Sequence, residues 1–169
     1  MLPRKLKNFI LFNDGNAYLG EVEEVTLPKL TRKMEDYRAG GMNGPVKLDF
    51  GMEGLALEWT AGGYLRSLLG QWAQPAHDGV LLRFAGAIQS DDLGIPSPLE
   101  VVMRGRHSEI DFGNSKAGEK TEIKVKSELS YYRISMDGTV LIEIDLVNMI
   151  EIVDGTDRLA SVRLALGIL

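Results

Sequence analysis

The chain has 169 residues, a net charge of −5 and no cysteine, which excludes disulfides, thiol chemistry and thiolate metal sites and leaves no basic surplus for gripping nucleic acid. Hydrophobic residues at 44% against 25% charged fit one globular domain over residues 1–169 and not a disordered chain. No stretch approaches the roughly 20 apolar residues of a membrane-spanning helix, and the apolar run Phe9–Phe12 behind Arg4, Lys5 and Lys7 is too short for a cleavable leader, so cytoplasmic synthesis is the expectation.

Phe9–Phe12 reads as a strand, and Asp14-Gly15 supplies the positive φ that a hairpin into the next strand needs. In "VTLPKLTRKMEDY", alternation puts Leu30, Arg32, Met34 and Asp36 on one face and Thr31, Lys33, Glu35 and Tyr37 on the other. Both faces are mixed, as expected of an edge strand or one that meets a neighbour outside the chain. Glu35–Gly54 then forms a glycine-rich excursion, too long for a tight turn and too apolar for an ordinary loop.

"LALEWTAGG" is a strand stopped by Gly62-Gly63, and Leu65, Leu68, Leu69 and Trp72 fall at helical spacing before Pro75. "GVLLRFAGAIQ" and "LEVVMRGRHSEID" are strand-like on either side of a polar, proline-bearing loop. In the next strand Ile123, Val125, Leu129 and Tyr131 share one face, and Glu122, Lys124, Lys126 and Glu128 the other. Asp137-Gly138 turns it into a strand with Val140, Ile142 and Ile144 opposite Glu143 and Asp145. The end predicts a short helix with Thr156 as N-cap, Leu159, Val162 and Leu166 on one face, and Gly167 as its stop.

Catalytic patterns fail on inspection. "GNSKAGEKT" spaces Gly113 and Gly118 like a phosphate-cradling loop, but Glu119 intrudes and a strand follows where a helix N-terminus is required, so a solvated loop is the reading. His77 and His107 have no partners at ligand or general-base spacing and are expected on the surface. "NDGN" and Asp91-Asp92 lack the further ligands that calcium requires and read as turns. Glu143 and Asp145 point the same way from one strand, which fits a solvated face better than paired catalytic carboxylates.

Four blocks, "TLPKLTRKMEDYRAGGMNGPV", "LLRFAGAIQSDD", "EVVMRGRHSEID" with "KAGEKTE", and "YYRISMDGTVLIEIDLVNMIEIVDGTDRL", together resemble the major tail tube protein of contractile-tailed bacteriophages. They are more distantly similar to the tube subunit of R-type bacteriocins, and the similarity runs from Leu2 to Leu169. The resemblance implies a mainly β (α+β) fold, a two-sheet β-sandwich or partly rolled β-barrel with a flanking helix and a short C-terminal helix, shared with type VI secretion tube proteins. It implies rings of six copies stacked into a hollow tube in the virion, with the sheath, tape-measure, baseplate and tail-terminator proteins as partners. It also implies that DNA passes through the lumen without specific binding, and it carries over no catalytic, metal or cofactor residues.

On that reading the excursion is an arm that lies against the adjacent ring and orders on stacking, with Tyr37, Arg38, Gly40, Gly41, Met42, Asn43, Phe50 and Met52 as contacts. Lumen-facing candidates are Glu122, Lys124 and Glu128, or Glu143 and Asp145, with the choice between the two sets open. A bacteriocin or type VI-like tube without DNA, a β-barrel holding a small molecule, and a hydrolase using acidic residues are the rival readings.

Overall fold

The computed structural model describes residues 1–168. In chain order it contains β1 (Lys5–Asn13), β2 (Asn16–Ala17), β3 (Val22–Thr26), β4 (Arg32–Tyr37), β5 (Val46–Met52), β6 (Leu55–Ala61), α1 (Arg66–Leu69), β7 (Val80–Gln89), β8 (Ser97–Asp111), β9 (Ile123–Met136), β10 (Thr139–Asp145), β11 (Ile150–Val153), β12 (Thr156–Asp157) and α2 (Ala160–Ala165). Three Asp-Gly pairs make the tight turns. Asp14-Gly15 and Asp137-Gly138 were expected, and Asp154-Gly155 joins β11 to β12; all six residues have φ between 48° and 85°, the left-handed backbone of a two-residue hairpin loop.

All strands but β4 and β5 belong to one antiparallel sheet, ordered β12-β11-β10-β9-β8-β7-β1-β2 with β3-β6 branching from β9. The branch arises because β9 divides one edge between two partners: Ile123–Leu129 pairs with β6 and Tyr131–Met136 with β10. The sheet therefore coils around one core in the partly rolled arrangement expected. Leu55, Leu57 and Trp59 of β6 meet Val80, Leu82 and Phe84 of β7, Leu11 of β1, Val101 and Met103 of β8, and Ile123 and Val125 of β9. Strand alternation dictates this, since β7 is buried at every second residue from Val80 to Ile88.

The structure corrects four local expectations. Tyr131 does not share the inner face with Leu129: Arg104 pairs with Tyr131 but Gly105 with Leu129, so Ser130 is an extra residue, a β-bulge, and Tyr132 turns inward instead. The predicted helix Leu65–Trp72 is helical only over Arg66–Leu69, with Leu68 buried but Leu69 and Trp72 exposed. Gly70 is a weak helix former, and past it single-turn bonds carry the chain to Ala73 at φ 61°. Thr156 lies in β12 and caps nothing; Asp157 accepts the Leu159 N–H instead.

The fourth correction is that α2 is turned outward. Val162, Leu164 and Leu166 are exposed while Arg163 is half-buried, donating to the Met149 carbonyl at 2.6 Å and pairing with Asp157. The Gly167 stop is as expected, at φ 76° with the Ile168 N–H on the Arg163 carbonyl.

Candidate functional site

Three regions carry chemistry beyond the core: the outer face of β3-β6-β9-β8, the β4-β5 arm, and a buried polar cluster behind Trp59. The face follows from register. Thr26, Glu58, Lys126 and Glu109 form one cross-strand row, Glu24, Thr60, Lys124 and Asp111 a second, and Ala56, Glu128 and Arg106 a third. Five carboxylates thus stand among three cations over a shallow trough of about 320 Å³. Both flanking edges of these four strands lack a partner among the described residues: one is the outer edge of β3, the other is β8 beyond Gly105, where β7 begins.

Lys124 and Glu128 sit within this face. Glu122 stands just before β9, where Lys120 bridges it to Glu23 at 3.5 and 2.7 Å. Glu143 and Asp145 lie farther along the same outward side, because the Ser130 bulge keeps Tyr131 and Arg133 outside and β10 pairs with them. Glu143 accepts the Tyr131 hydroxyl at 2.5 Å, and burial together with that carboxylate pushes the phenol up to about 12. Asp145 takes the N–H groups of Val147 and Asn148 and the Asn148 amide, tying the turn into β11.

The arm is a two-stranded sheet of its own, so the excursion begins at Arg32, earlier than the sequence suggested. Tyr37 pairs with Val46, Glu35 with Leu48, Asp36 with Lys47 and Met34 with Asp49. One face is charged: Lys47 meets Asp36 at 2.8 Å, and Arg32 grips Asp49 at 3.0 Å and Glu151 of β11 at 2.7 Å. The Arg32 guanidinium, helped by the Gly51 N–H, holds the Asp49 carboxyl below the usual range. The other face is an apolar stripe of Tyr37, Val46, Leu48 and Phe50, each 40% to 56% exposed.

Of the predicted contacts, Tyr37 and Phe50 are on this stripe. Arg38, Gly40, Gly41, Met42 and Asn43 form the tip, closed by a Met42 N–H bond to the Ala39 carbonyl. Met52 turns back onto the core. Val46 and Leu48 were missed, although their alternation with Lys47 and Asp49 is visible in the sequence.

His107 departs from the expected surface position; it is 6% exposed, whereas His77 is exposed and lies 2.8 Å from the Ser130 hydroxyl. The His107 ring sits 2.8 Å from Ser127 Oγ and 2.9 Å from Gln71 Oε1, and Gln71 donates to Asn13 and Asp14 at 2.7 and 2.6 Å. A neutral imidazole donating to Gln71 and accepting from Ser127 satisfies both contacts. The cluster clamps the α1 segment to the sheet, and Ser127, fully buried, has no access to a substrate as a nucleophile would need.

Burial pushes His107 down to about 4 against a small opposing pull from Asp14. Between its unfolded value near 6.5 and 4, the unfolded chain binds a proton that the folded chain refuses, so stability falls as pH drops through that window. We expect wild type to lose about 2–3 kcal/mol between pH 7 and pH 4.5 from this group. Denaturant unfolding at both pH values should show that slope reduced in His107→Gln.

The comparisons accord with this geometry. A family model described as phage tail tube protein FII matches residues 3–167. The tail tube protein of Escherichia phage P2 is 48% identical over 170 residues, covering 99% of each chain, and the major tail tube protein of Serratia phage KSP20 is 42% identical over 166 residues, covering 95% of each. A solved structure of the sheath/tube terminator of the extracellular contractile injection system PVC superposes with a TM-score of 0.59 at 11% identity, covering 80% of this chain and 97% of its own; that likeness speaks for the fold. The two phage proteins are structural components of a tail, not enzymes, and the chain belongs to the phage tail tube protein FII family.

Proposed function

We propose that copies of this chain join edge to edge through β3-β6-β9-β8 into a ring of six, and that the charged outer face of those strands lines its lumen. The observation that carries the reading is a four-stranded antiparallel sheet whose two outer edges, on β3 and on β8 beyond Gly105, lack a strand partner among the described residues. Unpaired edges of this length are covered, charged or joined to another chain. Because four is an even number, β3 of the next copy meets β8 antiparallel, and the alternation runs around the ring without a break.

Six copies would close about 24 strands; at about 4.8 Å between strands and a tilt near 40°, the backbone diameter is about 48 Å. Barrels of that size enclose a bore, and a bore in water needs a polar wall. Each copy lends this wall two more carboxylates than cations, so duplex DNA, with one negative charge per roughly 1.7 Å, finds no counterion-releasing surface and slides. Lys124 and Glu128 are the lumen candidates this arrangement supports, joined by Glu24, Glu58, Glu109 and Asp111. Glu122, Glu143 and Asp145 lie toward its ends.

The arm then contacts the adjacent ring as rings stack. The tube works inside the virion tail with the sheath, the tape-measure protein, the baseplate and a terminator. Hydrogen exchange tests ring closure: outward amides of Val22–Thr26 and Arg106–Asp111 should exchange freely in the monomer and gain at least 100-fold protection in tubes. Unchanged exchange would overturn edge pairing. For the lumen, Glu24→Lys with Glu58→Lys and Glu109→Lys should leave tube length normal and slow genome ejection several-fold; ejection at the wild-type rate sinks the assignment.

A further inference from the structure

We propose that the apolar stripe of the arm seats on the Tyr64–Phe112 rim of a copy in the adjacent ring, a step that rests on reading the arm as an inter-ring contact. Topology places the two features at opposite ends of one sheet. The arm leaves from the end of β3 and returns at the start of β6. Tyr64 follows the other end of β6, and Phe112 follows β8 where Asp111 pairs with Lys124, beside the Ala61–Ile123 pair.

Six residue steps of β6, about 20 Å, separate the ends. Heterologous contacts that translate a copy along an axis bring one end of a molecule onto the opposite end of the next. A stack of rings therefore delivers each arm to a neighbour's rim, whichever way the tube grows.

The surfaces match in kind. Tyr64 and Phe112 are 63% and 44% exposed, and their rings stack with centroids 6.1 Å apart at 20° beside a groove of about 300 Å³ bordered by Lys116 and Lys120. Those two cations are already paired, with Glu119 at 3.2 Å and Glu23 at 2.7 Å, so the rim offers two aromatic faces beside a polar groove, with Asn114, Ser115 and Thr121 in its wall, that carries little net charge. The arm's stripe offers Tyr37, Val46, Leu48 and Phe50 with one cation, Lys33, and one carboxylate, Glu35. A two-stranded hairpin with an uncovered apolar face is marginal alone, and seating supplies the missing layer.

A second apolar patch, on α2, lies on the wrong side for this contact. Arg163 ties α2 to Met149, the residue before β11, and β11 holds the arm's own base through Glu151.

Because the chain has no cysteine, paired substitutions read the contact without background. In oxidised tubes, Leu48→Cys with Ser115→Cys should produce a covalent ladder running beyond dimers, and Leu48→Cys with Leu164→Cys should not. A ladder from the Leu164 pair alone overturns the seat and leaves the inter-ring arm standing. No ladder from either pair overturns the seat as well, and tubes that persist after β4-β5 is excised overturn the arm reading itself. Tyr64→Ser with Phe112→Ser should keep the monomer's thermal transition and lower the polymerised fraction at least 10-fold; normal polymerisation counts against the seat.

Discussion

Excising Lys33–Gly51 and bridging Arg32 to Met52 with two glycines should yield a folded monomer that no longer assembles into tubes. The arm can be removed cleanly because it forms its own sheet outside the ten strands that carry the core. Its two ends are already adjacent, since Arg32 pairs with Met52 and the Glu53 N–H bonds the Thr31 carbonyl at 2.8 Å. None of its stripe residues belongs to the buried cluster, so the loss to the monomer is confined to exposed ion pairs, Arg32 with Asp49 and Lys47 with Asp36, which are screened by water and weak, while the Arg32–Glu151 pair is retained.

The loss to the assembly is larger. Covering Val46, Leu48 and Phe50, each about half exposed, contributes about 4 kcal/mol per contact, near 10³ in an association constant. The milder triple change Val46→Ser, Leu48→Ser and Phe50→Ser should raise the critical concentration for polymerisation by that order. Sedimentation and negative-stain microscopy read the tubes, and thermal unfolding reads the monomer. Tubes of normal abundance and width from the excised chain would remove the arm from the assembly scheme.

Local chemistry carried most of the fold into the sequence. Period-two alternation marks β6, β7, β9 and β10, and Asp-Gly pairs mark the hairpins, because both depend only on neighbouring residues. The arm was half legible. Its length and apolar content are visible, but Pro45, Gly44 and Gly51 break up the run that contains β5, so Val46 and Leu48 read as loop.

Three features lay beyond local reading. The free edges of β3 and β8 depend on where β7 and β10 stop pairing, which is set by contacts dozens of residues apart. The outward turn of α2 depends on Arg163 reaching Asp157 and Met149, so from the sequence alone its apolar helical stripe reads as a core face. His107 is buried because Gln71, 36 residues away, returns to meet it.

A fourth non-local feature, the Ser130 bulge, leads to the largest expected change in monomer stability, for Gly105→Ala. Gly105 is buried in the pairing of β8 with β9, directly opposite Leu129 and at the point where the register shifts. A Cβ there would lie 2.1 Å from the Glu128 carbonyl oxygen, and 2.9 Å from both its carbon and Leu129 Cα. All three are backbone atoms, so no rotamer change relieves the clash and the two longest strands must separate. Overpacking of this kind costs about 3 kcal/mol or more, a fall in Tm of roughly 6–12 °C for a chain of this size.

Gly86→Ala is the matched control on the next strand. Its Cβ would meet the Leu6 Cδ1 and Phe84 Cε1 atoms at 2.9 and 3.0 Å, side-chain ends that can turn aside at a cost of about 1 kcal/mol. A Gly105→Ala variant that melts with Gly86→Ala would mean that the strands do not approach so closely and that no bulge is fixed at Ser130. Without the bulge, β9 would keep strict alternation, Tyr132 would point outward with the Lys124 and Glu128 row, and Glu143 would follow Tyr131 toward the core. The continuous polar wall along β9 therefore depends on the missing Cβ of Gly105, and a loss of tube assembly in this variant should track its loss of fold.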